Sequence, residues 1–487
     1  MPETTPSAAE AASPGRIRLT LLGVMLAMLL AMLDNMVVGT AMPTIVGELG
    51  GLERLSWVVT AYTLATAAST PVWGKLGDLH GRKGTFLIAI TIFLLGSGLS
   101  GAARSMEQLI AFRALQGIGA GGLVVGAFAL IGALVSPRER GRYQGMSATI
   151  MAIGTIGGPL LGGFLTSHLG WRWSFYINLP IGVVVLVWIQ SMLHLPAKRS
   201  SARIDYPGAA LLTTTIGALV LLTTWGGTQY AWGSAQVLGL AALTVLALGA
   251  FLWSQTRAAE PVLPLSVFRS RNLSLSSVMA FTTGAAMFGV VSFLPMYQQS
   301  VQGASAANSG MLLLPMVLPV VLCSQIVGRV MTRTGRYKVF PVVGGSVVTL
   351  GLYLLSTMDA GTGRGTSAFY MVVLGTGLGL AMQMPMTIAQ NSVEVKDMGV
   401  ASASSTLFRT IGGSFGVALF GSLFAGRVSD GISPQSVAAG THSLFLCAAL
   451  LSLAGLAAAV CLKEVPLRGQ PSGPPAPAEP VKAPAAA

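Results

Sequence analysis

Apolar residues run through this chain in long blocks separated by short polar knots; stretches 19–32, 86–100 and 181–193 are examples. Blocks of about 20 residues are what a helix needs to cross a hydrocarbon layer about 30 Å thick. Fourteen such spans can be laid out, centred near residues 30, 64, 93, 121, 154, 184, 215, 246, 286, 319, 347, 379, 412 and 451. The pattern predicts an all-α, multi-pass membrane protein.

A repeat organises the spans. The knot at 74–83 (Gly-Lys-Leu-Gly-Asp-Leu-His-Gly-Arg-Lys) closes the second span, and Gly328 to Arg336 closes the tenth with Gly, basic residue and Gly-Arg in register, 254 residues on. Independently, Thr155-Ile-Gly-Gly in the fifth span recurs as Thr410-Ile-Gly-Gly in the thirteenth, offset by 255. Both matches keep the same membrane orientation, so the repeat is parallel and joins two six-helix halves. The expected domains are an N-terminal cytoplasmic tail (1–18), a six-helix bundle (19–200), two inserted helices (201–262), a second six-helix bundle (263–465) and a disordered cytoplasmic tail (466–487). That last tail holds seven prolines in 22 residues and little that could build a core.

Composition agrees: 487 residues are 53% hydrophobic and 9% charged, against about 25% charged in soluble domains. A net charge of +13 would suggest nucleic acid in a soluble protein. With both termini placed in the cytoplasm, however, 22 of the 29 basic residues fall on the cytoplasmic side, five outside and two, Arg113 and Arg409, within spans. That asymmetry sets membrane orientation, and no nucleic-acid partner is expected. The start of the chain reads as a signal anchor rather than a cleaved leader. Three cysteines (Cys323, Cys447, Cys461) and four scattered histidines give no metal-ligand spacing. No catalytic constellation, phosphate loop or dinucleotide fingerprint occurs. The expectation is a protein without metal or cofactor and without enzymatic activity.

Candidate chemistry centres on Asp34, the one acid placed in the middle of a span. A carboxylate there costs about 2.5–3.5 kcal/mol on insertion scales, so such residues face cavities and carry ions or protons. Arg113, with Gln116 on the same helical face, is the counter-charge expected to couple protonation to shape. In the 74–83 knot, Gly74, Asp78 and Arg82 share a face, Gly81 breaks the turn, and Asp78 with Arg82 and Lys83 can latch helix ends. In the fifth span Gly154, Gly158 and Gly162 recur every fourth residue, with Pro159 and Gly163 beside them, a smooth strip for close packing. Soft and aromatic side chains suit a permissive pocket; Met36, Phe288 and Met384 are candidate substrate contacts, together with Asn35 and Gln116.

The 33–43 stretch around Asp34, the 74–83 knot, the 113–122 run, the 154–163 strip and Trp171-Arg-Trp-Ser-Phe-Tyr-Ile-Asn-Leu-Pro-Ile-Gly182 resemble the major facilitator superfamily. In particular they look like its fourteen-helix drug:proton antiporter branch (QacA/EmrB-like), and the resemblance covers nearly all the chain between the tails. It implies two six-helix bundles rocking about a central cavity, with two extra helices beside them. It also implies Asp34 as the proton-coupling acid, Arg113 as the linked arginine, Asp78 with Arg82 as the gating latch, and 154–163 as the antiporter glycine strip. Members that export dications carry further acids in later spans. None occurs here, which leaves monovalent cations, neutral lipophiles and weak acids. The expected function is proton-coupled antiport by alternating access, exporting lipophilic or cationic small molecules (drugs, dyes, antibiotics) from the cytoplasm. The setting is a bacterial cytoplasmic membrane, the partners are protons and membrane lipid, and the protein is expected to be a monomer. A dedicated exporter of one compound (a self-made antibiotic, siderophore or lipid) and a non-transporting sensor are the alternatives.

Overall fold

The computed structural model describes residues 14–51, 54–135, 137–193, 205–226, 229–258, 261–304, 312–394, 397–428 and 433–466. Most of both tail expectations (1–13 and 467–487) lies outside them. The described residues form sixteen α-helices and no named strand. In chain order these are α1 (Pro14–Leu49), α2 (Leu55–His80), α3 (Arg82–Gly101), α4 (Met106–Leu134), α5 (Pro137–His168), α6 (Trp173–Tyr176), α7 (Asn178–Met192), α8 (Tyr206–Trp225), α9 (Ala235–Arg257), α10 (Arg271–Ser300), α11 (Leu314–Thr334), α12 (Val339–Ser356), α13 (Arg364–Ala381), α14 (Met384–Asn391), α15 (Met398–Val428) and α16 (Pro434–Val460).

Local chemistry sets the boundaries. Ser105 accepts from the Gln108 amide to start α4, Ser234 from Val237 to start α9, and Ser433 with Ser436 forms a reciprocal box at α16. These satisfy amide donors that a helix start leaves open. Gly81, at φ +95°, separates α2 from α3, and Gly335, at φ +70°, ends α11. Each is the glycine of one repeated knot, at a backbone conformation that side chains oppose.

Among the described residues, twelve stretches are long and apolar enough to cross a membrane. The helices α13 and α14 count together as one of them. Helix α2 is not among them, and the reason is compositional: it is rich in Thr and Ser and ends in Lys75, Asp78 and His80. The long helix α5, interrupted by glycines and opening on charges, is not among them either. Each of the fourteen centres read from sequence nevertheless falls inside a helix.

Two large apolar cores form. One draws mainly on α1–α4 and α7, through residues such as Met28, Phe86, Phe93 and Phe128. The other draws on α10–α13, α15 and α16, through Leu294, Leu352, Phe420 and Phe445. The cores meet along two seams: α2 and α4 against α15, and α5 against α11. The inserted pair α8–α9 packs at the first seam, α8 touching both α2 and α15. The outermost of the spans is α9, with only 17% of its apolar window buried.

Candidate functional site

Within the first core sits a fully enclosed polar node. Asp34 of α1 and Arg113 of α4 are 1% and 0% exposed, and Arg113 Nη1 donates to Asp34 Oδ2 at 2.5 Å. The other carboxylate oxygen, Oδ1, accepts from Gln116 Nε2 and from Asn178 Nδ2, both at 2.8 Å. Gln116 Oε1 accepts a second bond from Arg113 Nη1 at 2.8 Å. Asn178 also donates to Ser97 Oγ, which itself donates to the Phe175 carbonyl. Four helices thus hold one carboxylate. Arg113 Nη2 is buried with no hydrogen-bond partner, so the guanidinium is saturated on one side only. Its Cζ lies 4.0 Å from the centroid of the Tyr62 ring, whose hydroxyl donates to the Ala31 carbonyl.

Beside the node lies a cavity of about 870 Å3. Its walls come from α1 (Ala31, Met32), α2 (Tyr62, Thr66, Thr70), α4, α8 (Val220, Thr223, Thr224), α10 (Met287, Phe288, Phe293) and α15 (Thr406, Arg409, Ser414), with Met382 and Trp232. Tyr62 and Ala31 belong to both wall and node, so a single aromatic ring and one turn of α1 stand between the cavity and the ion pair. Both cores and the inserted α8 contribute, which places the cavity where the two halves face each other.

One end of this space is shut. The Asp78 carboxylate accepts from the amides of Gly399 (3.2 Å) and Val400 (3.0 Å), the first turn of α15. Arg82 Nη2 donates to the same carboxylate at 2.9 Å. An acid of one half therefore caps a helix of the other, where open amides and the helix dipole favour negative charge. Gly74 permits the approach, since a Cβ there would stand 2.7 Å from Ala403 Cβ and 2.8 Å from the Gly399 carbonyl oxygen. Gln390 Nε2 donates to the Phe128 carbonyl and Gln325 Nε2 to Thr149 Oγ1, closing both seams at this end. Toward the other end the cavity reaches Gly226, Trp232 and Gly426.

The predicted site residues sort as follows. Asp34, Arg113 and Gln116 come together, but Gln116 is enclosed in the node and contributes nothing to the cavity wall. Phe288 lines the cavity. Met384 does not: it packs with Met279, Met331, Tyr337 and Ile388. The chain breaks between α13 and α14, so Met382, two residues earlier, faces the cavity instead. Met36 packs against α5, where a Cβ at Gly158 would collide with it. The side chains of Asn35 and Pro159 lie outside the described residues. Gly154 and Gly158 do seat α5 on α1, and Gly162 is buried; Gly163 is exposed with nothing near it, so the close-packed strip excludes it. Lys83 stands apart from the latch and donates to the Gln190 carbonyl near the end of α7. Sequence reasoning missed Tyr62, Asn178 and the walls from α8. Asn178 had a signal, lying inside the 171–182 stretch; Tyr62 had none.

Comparison with known proteins agrees with this architecture. A model of the Major Facilitator Superfamily matches residues 24–417. An uncharacterized MFS-type transporter of Mycobacterium tuberculosis is 39% identical over 500 residues, covering 96% of this chain and 73% of that protein. The multidrug transporter protein MdtP of Bacillus subtilis is 36% identical over 421 residues, covering 86% and 77%. The crystal structure of the human organic anion transporter MFSD10 matches the fold with a TM-score of 0.65 at 16% identity, covering 92% of this chain and all of that one. The chain belongs to the major facilitator superfamily, and it is a membrane transporter rather than an enzyme.

Proposed function

We propose that this member of the superfamily exports lipophilic small molecules from the cytoplasm by exchange with protons, through the central cavity. In this reading α2 and α5 also cross the membrane, giving fourteen spans in two six-helix halves plus the α8–α9 pair. The basic-loop end carrying the Asp78 latch is cytoplasmic, as are both termini, and the membrane is a bacterial inner membrane. The state described here is then closed toward the cytoplasm. The similarity to a Bacillus multidrug transporter supports efflux of drugs or dyes.

The observation that carries the coupling is the node itself. Both oxygens of the enclosed Asp34 carboxylate are bonded, one by Arg113 and the other by Gln116 and Asn178. A proton arriving on Asp34 cancels the charge that Arg113 answers. It leaves a buried cation unmatched, a change worth several kcal/mol in such surroundings. Tyr62, stacked on that cation and lining the cavity, is the element through which loss of the pair reaches the substrate space. Proton entry supplies about 2.3 kcal/mol per 100 mV of membrane potential.

The test is dye efflux in inside-out vesicles, comparing the natural chain with Asp34→Asn. Transport should stop when an uncoupler collapses the proton gradient and should be absent in the variant, with inserted protein unchanged. Flux that persists in the variant with its proton dependence intact moves the coupling site elsewhere. A dedicated exporter would share this machinery and differ only in a narrow susceptibility profile.

A further inference from the structure

The cavity holds a charge that the proton-coupling reading leaves unused. Arg409 of α15 lines it half-buried, and among the described residues the guanidinium has neither ion-pair nor hydrogen-bond partner. No acidic residue is among those lining the cavity. The nearest candidate from the node, Asp34, is 1% exposed with both carboxylate oxygens occupied. Elsewhere the wall is apolar or hydroxylic: Met32, Met287, Phe288, Phe293 and Met382 supply soft and aromatic surface. The hydroxyls of Thr66, Thr70, Thr223, Thr224 and Thr410 each donate to carbonyls of their own helices. Their hydrogens are committed, so an incoming anion finds its charged donors on Arg409.

We propose that Arg409 is the anion-recognition residue of the substrate site, and that the preferred cargo is an amphipathic organic anion: one carboxylate or sulfonate on an aromatic or aliphatic body. The reasoning rests on the cavity being the substrate site, as above. A guanidinium presents a planar fork of donors matched to carboxylate geometry. Left alone in a partly dry cavity it is costly, and a ligand that supplies the missing charge removes that cost. A cation would meet repulsion from Arg409 and find no acid on the wall. The proposal also fixes the charge balance. One proton entering for one monoanion leaving moves two elementary charges in the direction an inside-negative potential favours, whereas a monocation in exchange for a proton moves none.

Three probes sharing one fluorophore separate the possibilities: dansylglycine (anion), dansylamide (neutral) and dansylcadaverine (cation). Binding is read by energy transfer from tryptophan, with the purified full chain in phosphatidylcholine nanodiscs. The natural chain should bind dansylglycine at least tenfold more tightly than dansylcadaverine. Arg409→Gln should weaken dansylglycine at least tenfold while dansylamide changes less than twofold, and Arg409→Lys should recover part of the difference. Should Arg409→Gln not fold, Thr406→Asp, which sets a carboxylate one helical turn away, should weaken the anion selectively with the arginine in place. Equal loss of all three probes, preference for the cation, or no binding of the anion each overturns the proposal. None of these readouts depends on a proton gradient, so the exchange reading stands or falls separately in the vesicle test.

Discussion

Among the described residues, each half of the molecule sets one arginine against the central cavity region, Arg113 in the first and Arg409 in the second, and the two are treated oppositely. In the N-terminal half Arg113 is matched, held by Asp34, Gln116 and the Tyr62 ring and sealed from the cavity. In the C-terminal half Arg409 stands on the cavity wall with no protein partner among the described residues. The repeat shows how the second arrangement became possible. Shifted by the offset of 255, Gly154 of α5 falls on Arg409 of α15. In the first half the bare position is on α5, where Gly154 meets Met32 of α1. In the second it has moved to the partner helix, since a Cβ at Gly284 of α10 would collide with the Arg409 carbonyl. Close packing survives in both, and the α15 position is released to carry a side chain. A matched charge suits a switch that must flip when protonated; an unmatched one suits a site whose partner comes from outside.

Removing each arginine breaks that comparison most directly. Arg113→Gln leaves Asp34 buried without its counter-charge and should cost about 3–5 kcal/mol of stability. Thermal unfolding of the detergent-solubilised protein would show it as a fall of many degrees. Arg409→Gln removes an unanswered charge and should leave the melting temperature unchanged or raise it. The double variant Asp34→Asn with Arg113→Gln should recover much of the single loss, because the penalty lies in the orphaned charge rather than in the absent pair. If both arginine variants lose stability equally, the halves are not distinguished in this way.

The repeated knots give a second, smaller contrast. Asp78 caps the first turn of α15, but the offset of 254 puts Thr332 at its place in the second knot, where the hydroxyl donates back to the Gly328 carbonyl of its own helix. Asp78→Asn weakens charge-assisted bonds across the halves, worth about 1–3 kcal/mol. It should shift the balance of states toward opening at this end by roughly 5–150-fold. Gly74→Leu should act more strongly, through collision with Ala403 and Gly399. Thr332→Ala should do little, within about 0.5 kcal/mol. Distances between spin labels on the loops beside α2 and α15 would report all three.

What the chain discloses in advance follows the same division. Blocks of apolar residues mark helices because lipid demands uniform hydrophobicity, so all fourteen centres fall in helices. Asp34 and Arg113 are legible because charge within an apolar run is costly and seldom accidental. Contacts that depend on rotation about a helix axis are less legible. Met384 and Met382 are indistinguishable by composition, and a break in the helix decides which one faces the cavity. Tyr62 sits in a Thr-rich helix that looks like any polar-flecked span, and only the stacking on Arg113 gives it a role. The inserted pair was countable, yet nothing in its sequence announced that Thr223 and Thr224 would complete a cavity wall.

A third acid of the N-terminal half sharpens the contrast by its exposure. Glu48, at the end of α1, accepts from the Trp171 indole at 2.7 Å and from Arg172 Nη1 at 2.6 Å, joining α1 to the start of α6. Those two bonds, Arg172 first and Trp171 second, hold its carboxyl below the ordinary 4.5 of a glutamate. The folded state therefore keeps this group ionised at a pH where the unfolded chain has begun to bind a proton. Its contribution to stability is complete above pH 4.5 and is lost as pH falls toward and through the lowered value. Melting temperature should accordingly be flat in this respect from pH 8 to 6 and decline below about pH 4.5, with Glu48→Gln removing part of the decline. The effect should be small, because the pair is 48% and 34% exposed and water screens it. It should also fade in high salt, which the enclosed Asp34–Arg113 pair should not. A salt-sensitive Arg113→Gln penalty would mean that water reaches the node, and would remove the distinction between sealed and open charge on which the comparison of the halves depends.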